Sequence, residues 1–80
     1  MTAYIATFHT HLSALLTCRA LTAAGVAAQM MPVPRRLSAA CGTCVRYMAD
    51  SPMLSCMDTD YEAVYETADN TTPRLLCENR

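Results

Sequence analysis

Five cysteines stand in a chain of 80 residues. Two of them, Cys41 and Cys44, form a Cys-x-x-Cys pair at the end of the stretch PVPRRLSAACGTC, residues 32–44. A thiolate can act as a nucleophile, a soft-metal ligand or a carrier of sulfur or selenium, and each use asks for a different setting. A carrier cysteine attacks a persulfide or perselenide, holds the terminal atom and releases it. Its thiolate fraction rises when positive charge or a helix N-terminus lowers the pKa from about 8.5. Arg35 and Arg36 stand just ahead of the pair. Ser38, Ala39, Ala40 and Gly42 are small and leave Cys41 accessible, and Gly42 gives the backbone freedom to turn tightly or approach a ligand. His9 and His11 can add charge or accept a proton.

Cys44, three residues on, can resolve a mixed disulfide or expel sulfide from a Cys41 persulfide if the loop bends. A thioredoxin-type site is a weaker reading, because that motif opens a helix whereas this pair leads from a loop into a strand. Zinc is the third use. One Cys-x-x-Cys supplies half a tetrahedral site, and Cys18, Cys56, Cys77, His9 or His11 would have to complete it. The sequence has no second Cys-x-x-Cys and no His-x-x-x-His. Cys18 is expected to be a small buried hydrophobe, Cys56 and Cys77 to be incidental, and the methionines to fill the core.

The elements that must position these groups follow from local pattern. Residues 3–8 form a strand rich in Tyr, Ile, Thr and Phe. Thr10 caps a helix over 11–24, rich in Leu and Ala, and Gly25 ends it at the position where a left-handed residue is wanted. The helix carries two apolar stripes, one of Ala14, Leu15, Cys18 and Leu21, the other of Leu12, Leu16, Ala20 and Ala23. Residues 26–31 form a second strand, stopped by Pro32 and Pro34. Residues 43–47 form a third, with Cys44 and Arg46 on one face and Thr43, Val45 and Tyr47 on the other. Ser51 and Pro52 can open a short second helix. Residues 61–66 alternate as a solvent-faced edge strand, with a helix as the alternative that periodicity alone does not exclude. The order β-α-β-β-α-β predicts an α+β, ferredoxin-like sandwich: a four-stranded antiparallel sheet in order 4-1-3-2 with both helices on one face. That order brings the end of strand 1, with His9 and His11, to the same edge as the Cys41 loop. Residues 1–67 are expected as one domain and 68–80 as a loosely held tail.

Composition narrows the class. A net charge of −1 gives no footing for bulk nucleic-acid binding. All six basic residues are Arg, so Arg is the sole permanent cation available to an anion. The most apolar stretch, 12–28, is interrupted by Arg19 and is too short to span a bilayer. The first ten residues lack the basic and apolar regions of a signal peptide. The expectation is a cytoplasmic protein whose thiols are not structural disulfides, without membrane or nucleic-acid partners.

The strand YIATF, the Ala-Leu helix ended by Gly25, and MPVPRRLSAACG together resemble the selenium/sulfur carrier protein-like family. Pro32, Pro34, Arg35, Ser38, Cys41 and Gly42 match its Pro-x-Pro-Arg-x-x-Ser-x-x-Cys-Gly segment in order. The resemblance runs over residues 4–47. Cys18 stands where the family helix usually has an acid, Cys44 where the family often has an apolar residue, and the second helix is shorter. The resemblance implies a small carrier with Cys41 bearing sulfur or selenium, and the reading is a cytoplasmic thiol carrier or redox adaptor rather than a turnover enzyme, with no cofactor. Its partners would be a donor of the cysteine desulfurase type and an acceptor protein. On the residues alone, Cys44 is the resolving thiol, Arg35, Arg36, Ser38, Gly42 and His9 support Cys41, and a homodimer forms through the second stripe of the helix. A non-catalytic interaction module, zinc-stabilised through the Cys-x-x-Cys and docking through the helix, is the alternative.

Overall fold

The computed structural model describes residues 1–35, 37, 42–67 and 72–79. Five strands and one α-helix follow each other along the chain: β1 (Thr2–Phe8), α1 (His11–Ala23), β2 (Ala27–Pro32), β3 (Thr43–Ala49), β4 (Tyr61–Thr67) and β5 (Arg74–Glu78). A 3₁₀ turn, Leu54–Cys56, stands between β3 and β4. The sheet runs β2-β3-β1-β4-β5, and all four pairings are antiparallel. Its first four members keep the predicted order 4-1-3-2, read from β4 across to β2.

The helix begins and ends as its sequence dictates. The Thr10 side chain accepts from Ser13 N at 3.2 Å, satisfying one of the amides that a helix start leaves unpaired. At the other end Gly25 has φ 83°, and the Gly25 and Val26 amides donate back to Thr22 O and Leu21 O. This is the Schellman arrangement, which needs a left-handed residue where Gly25 stands.

The core lies between α1 and one face of the sheet. Tyr4, Ala6 and Phe8 of β1, Val45, Tyr47 and Ala49 of β3, and Val64 of β4 meet Ala14 and Leu21 of the helix. Tyr4 and Tyr47, cross-strand partners, stack with ring centroids 5.3 Å apart. The second apolar stripe of the helix is outside this core: Leu12 is 62% exposed and Leu16 43%.

The second half of the chain departs from expectation in three ways. The second helix is only the single 3₁₀ turn, entered through Met53 at φ 54°. Pro52 and a left-handed Met53 leave too few helical residues to propagate an α-helix, whose nucleus is costly. The 68–80 tail contains a fifth strand, β5, paired with β4. Addition of β5 makes β4 an interior strand, not an edge, and Glu62, Ala63, Val64 and Tyr65 are buried. Among the described residues no helix is long and apolar enough to cross a membrane.

Candidate functional site

The β2–β3 hairpin carries the Pro-Arg and Cys-Gly residues. Its base is closed by Val33 N donating to Gly42 O at 3.0 Å, and a turn forms where Leu37 N donates to Pro34 O at 3.0 Å. Arg35 is exposed at that turn. Arg36, Ser38 and Cys41, three of the residues singled out from sequence, lie outside the described residues. Gly42 is exposed and has an ordinary backbone conformation, and a Cβ there would meet no atom within 4 Å. Its lack of a side chain thus relieves no crowding among the described residues.

The register brings the end of β1 to this hairpin, with Thr7 opposite Cys44. The residue that reaches the hairpin base is His11. As the first residue of α1, it is hydrogen-bonded through Nδ1 to Thr43 Oγ1 at 3.2 Å. His9 is turned differently: its backbone amide donates to Asp60 O at 3.3 Å, and its side chain is half-buried. The two histidines differ because the chain leaves the strand at Phe8 and enters the helix at His11, which rotates alternate side chains apart.

Cys44 faces away from the helix with Arg46, as strand alternation requires, yet it is fully buried. Its thiol donates to Pro32 O at 3.7 Å. Burial penalises the thiolate and pushes the Cys44 pKa up to about 11. Cys44 is therefore held protonated at neutral pH. Cys18 packs against the core from α1, as its small apolar character suggested.

Asp60 was not legible as part of this neighbourhood. Its Oδ2 accepts from Thr10 Oγ1 at 3.3 Å and from Ser13 Oγ at 3.0 Å, at the N-terminus of α1. One turn along, Asp58 N donates to Thr17 Oγ1 at 2.9 Å. The only sequence signal was a Thr-x-x-Ser start to the helix; its acidic partner lies some fifty residues away in the chain, and no local pattern points to it.

The family model described as "Putative Se/S carrier protein-like" matches residues 3–66. The chain belongs to this family. In this carrier-like chain the match takes in β1 through β4 and ends before β5. No curated protein matches it, and no solved structure does. Among the described residues no group of three or more His, Cys, Asp or Glu side chains is placed to hold a metal ion.

Proposed function

We propose that this Se/S carrier-like chain is a carrier rather than a turnover enzyme, holding sulfur or selenium on Cys41 as a persulfide or perselenide. The observation that supports this best is the His11–Thr43 hydrogen bond, which ties the start of α1 to the residue two positions after Cys41. With Nδ1 engaged by Thr43, the exposed His11 keeps Nε2 for a proton or a negative charge at the hairpin. Arg35, exposed at the hairpin turn, brings a fixed positive charge, and Arg36, Ser38, Gly42 and His9 are assigned supporting roles from their places in the sequence.

Loading is a thiol–persulfide exchange. The Cys41 thiolate attacks the terminal sulfur of a donor persulfide, forming Cys41–S–SH and releasing the donor as its thiolate. A donor of the cysteine desulfurase type provides such a persulfide. Delivery repeats the exchange onto an acceptor thiol. Cys44 is the resolving thiol: its thiolate attacks the inner sulfur of Cys41–S–SH, closes the Cys41–Cys44 disulfide and expels hydrosulfide. With a pKa of about 11, Cys44 supplies little thiolate at neutral pH, so self-release is slow and the cargo is kept for the acceptor.

Anaerobic loading with a desulfurase and cysteine, followed by mass spectrometry of the tryptic peptide 37–46, tests the reading. One added sulfur, lost on reduction and absent from Cys41→Ser, is expected. An unmodified peptide, or one bound zinc per chain lost when the Cys-x-x-Cys is mutated, sinks it.

A second reading rests on a separate observation. Leu12 and Leu16 are exposed on α1, so an interaction module docking through the helix, either to a second copy or to a delivery partner, fits the same fold.

A further inference from the structure

The two edges of the sheet are unlike. β5 carries Arg74 and Glu78, and Arg74 is tied to Glu66 of β4 at 2.9 Å. Charges of this kind blunt a strand edge. β2, at the other edge, reads AAQMMP and carries no charge. Its register shows which of its backbone groups face outward. Val33 N donates to Gly42 O, and the pairs Met31–Cys44, Gln29–Arg46 and Ala27–Met48 follow at two-residue steps. Hydrogen-bonded pairs of an antiparallel ladder recur at that spacing. The amides and carbonyls of Ala28 and Met30 therefore point away from β3, toward a side where the described residues place no strand. Pro32, which has no N–H, ends the row.

Each face of the sheet adds something beside this edge. On the helix side, the His11–Thr43 hydrogen bond turns one flank of α1 toward the hairpin. Leu15 and Cys18, four and seven residues on, share that flank and are half-buried. Ala28 and Met30 pack on the core from the same face and are half-buried too. On the opposite face, Ala27, Gln29, Arg46 and Met48 line an open hollow of about 300 Å³. Arg46 is exposed, and among the described residues no carboxylate pairs with it. The edge is thus apolar toward α1 and cationic on the other face.

We infer that the β2 edge is a docking strand for an extended segment of a partner protein, one that alternates apolar and acidic residues. The segment hydrogen-bonds to the outward backbone groups of Ala28 and Met30, which supply affinity without regard to sequence. Its side chains alternate between the two faces, so selection is two-fold periodic. Apolar residues enter beside Leu15 and Met30, and acidic residues meet Arg46. A strand added to β2 lies about 10 Å from β3, two strand spacings, and an Arg and a Glu side chain together span that distance. A second copy pairing through β2 fits less well, because AAQMMP brings no acid to Arg46. The inference uses neither Cys41 nor Cys44 and stands apart from the carrier reading.

The probe is a short end-blocked peptide alternating Val and Glu, followed by amide hydrogen exchange on the whole chain. In the free chain, Ala28 and Met30 amides exchange quickly while Gln29 and Met31 are protected. Saturating peptide slows Ala28 and Met30 at least about tenfold. A Val/Glu peptide N-methylated at every second residue does not bind. Arg46→Gln, at an exposed position, weakens the Val/Glu peptide roughly fivefold. Unchanged exchange at Ala28 and Met30 overturns the inference. So does a Val/Lys peptide that binds as well as Val/Glu. Protection of the same two amides that rises with chain concentration, without peptide, assigns the edge to a second copy and also overturns it. The comparison of peptides on wild type decides alone where the variant fails to fold.

Discussion

Ser13 Oγ donates to Asp60 Oδ2 at 3.0 Å, and this places a carboxylate at the N-terminus of α1. The positive end of the helix dipole is therefore already answered from within the fold. A helix N-terminus lowers the pKa of a nearby thiol, and Asp60 opposes that effect at this one. Under the carrier reading proposed above, support for the Cys41 thiolate then rests on His11, bonded to Thr43, and on the exposed Arg35.

Asp60→Asn separates these roles. The amide keeps an acceptor for Thr10 and Ser13 but removes the charge, which at a helix N-terminus is worth about 0.3–1 kcal/mol. The unfolding free energy measured in urea should fall by that amount. Alkylation of Cys41 in the folded protein should become faster, because an opposing charge has gone. A variant with unchanged stability and unchanged Cys41 reactivity would mean that Asp60 has no electrostatic role.

Cys44 makes stability depend on pH in a definite direction. Its pKa rises from 9.0 to about 11 on folding, so between those values the folded chain holds a proton that the unfolded chain has lost. The stabilisation is complete below pH 9.0 and is lost as pH climbs to about 11. Two pKa units correspond to about 2.7 kcal/mol. Wild type should lose roughly 2–3 kcal/mol more than Cys44→Ala over that window, measured by urea unfolding at successive pH values. Tyr47 shifts upward too, but it is present in both proteins and cancels in the comparison. Equal losses in the two proteins would show that Cys44 ionises as freely folded as unfolded.

Thr17 tests the tie between α1 and the β3–β4 connection. It is 1% exposed, and its Oγ1 accepts from Asp58 N at 2.9 Å. Thr17→Val keeps the shape and leaves that amide without its acceptor, at a cost of about 1–3 kcal/mol. Hydrogen exchange at Asp58 should accelerate by more than the global loss of stability requires. Protection at Asp58 that changes only in step with global stability would argue that the bond contributes nothing local.

The first half of the chain was legible because each of its signals is local. Thr10 and Gly25 mark the helix ends, Pro32 and Pro34 stop β2, and alternation puts Val45 and Tyr47 inward and Cys44 outward. The β2-β3-β1-β4 order followed from connectivity. What escaped was non-local. RLLCE has no alternation of its own and becomes β5 only by pairing with β4, which in turn buries a segment that read as an edge. Met53 in a left-handed conformation replaces the second helix with a single turn, and nothing in its side chain announces that. At the site the sequence pointed to His9 as the supporting histidine, whereas the turn between strand and helix gives His11 the bond to Thr43.

The exposed stripe of α1 supplies the last prediction. Leu12 and Leu16 face outward while Ala14 and Leu21 fill the core, so the helix has one apolar stripe more than the sheet can cover. Burying a Leu against a partner is worth about 1.5–3 kcal/mol, enough for weak association when two stand together. Leu16→Glu should leave stability within about 0.5 kcal/mol of wild type, as expected at an exposed position without special contacts. It should also abolish any concentration-dependent rise in sedimentation coefficient that wild type shows. A wild type that stays monomeric at high concentration removes the self-association reading and leaves a delivery partner as the occupant. A variant that unfolds would instead place Leu16 in the core, against its 43% exposure.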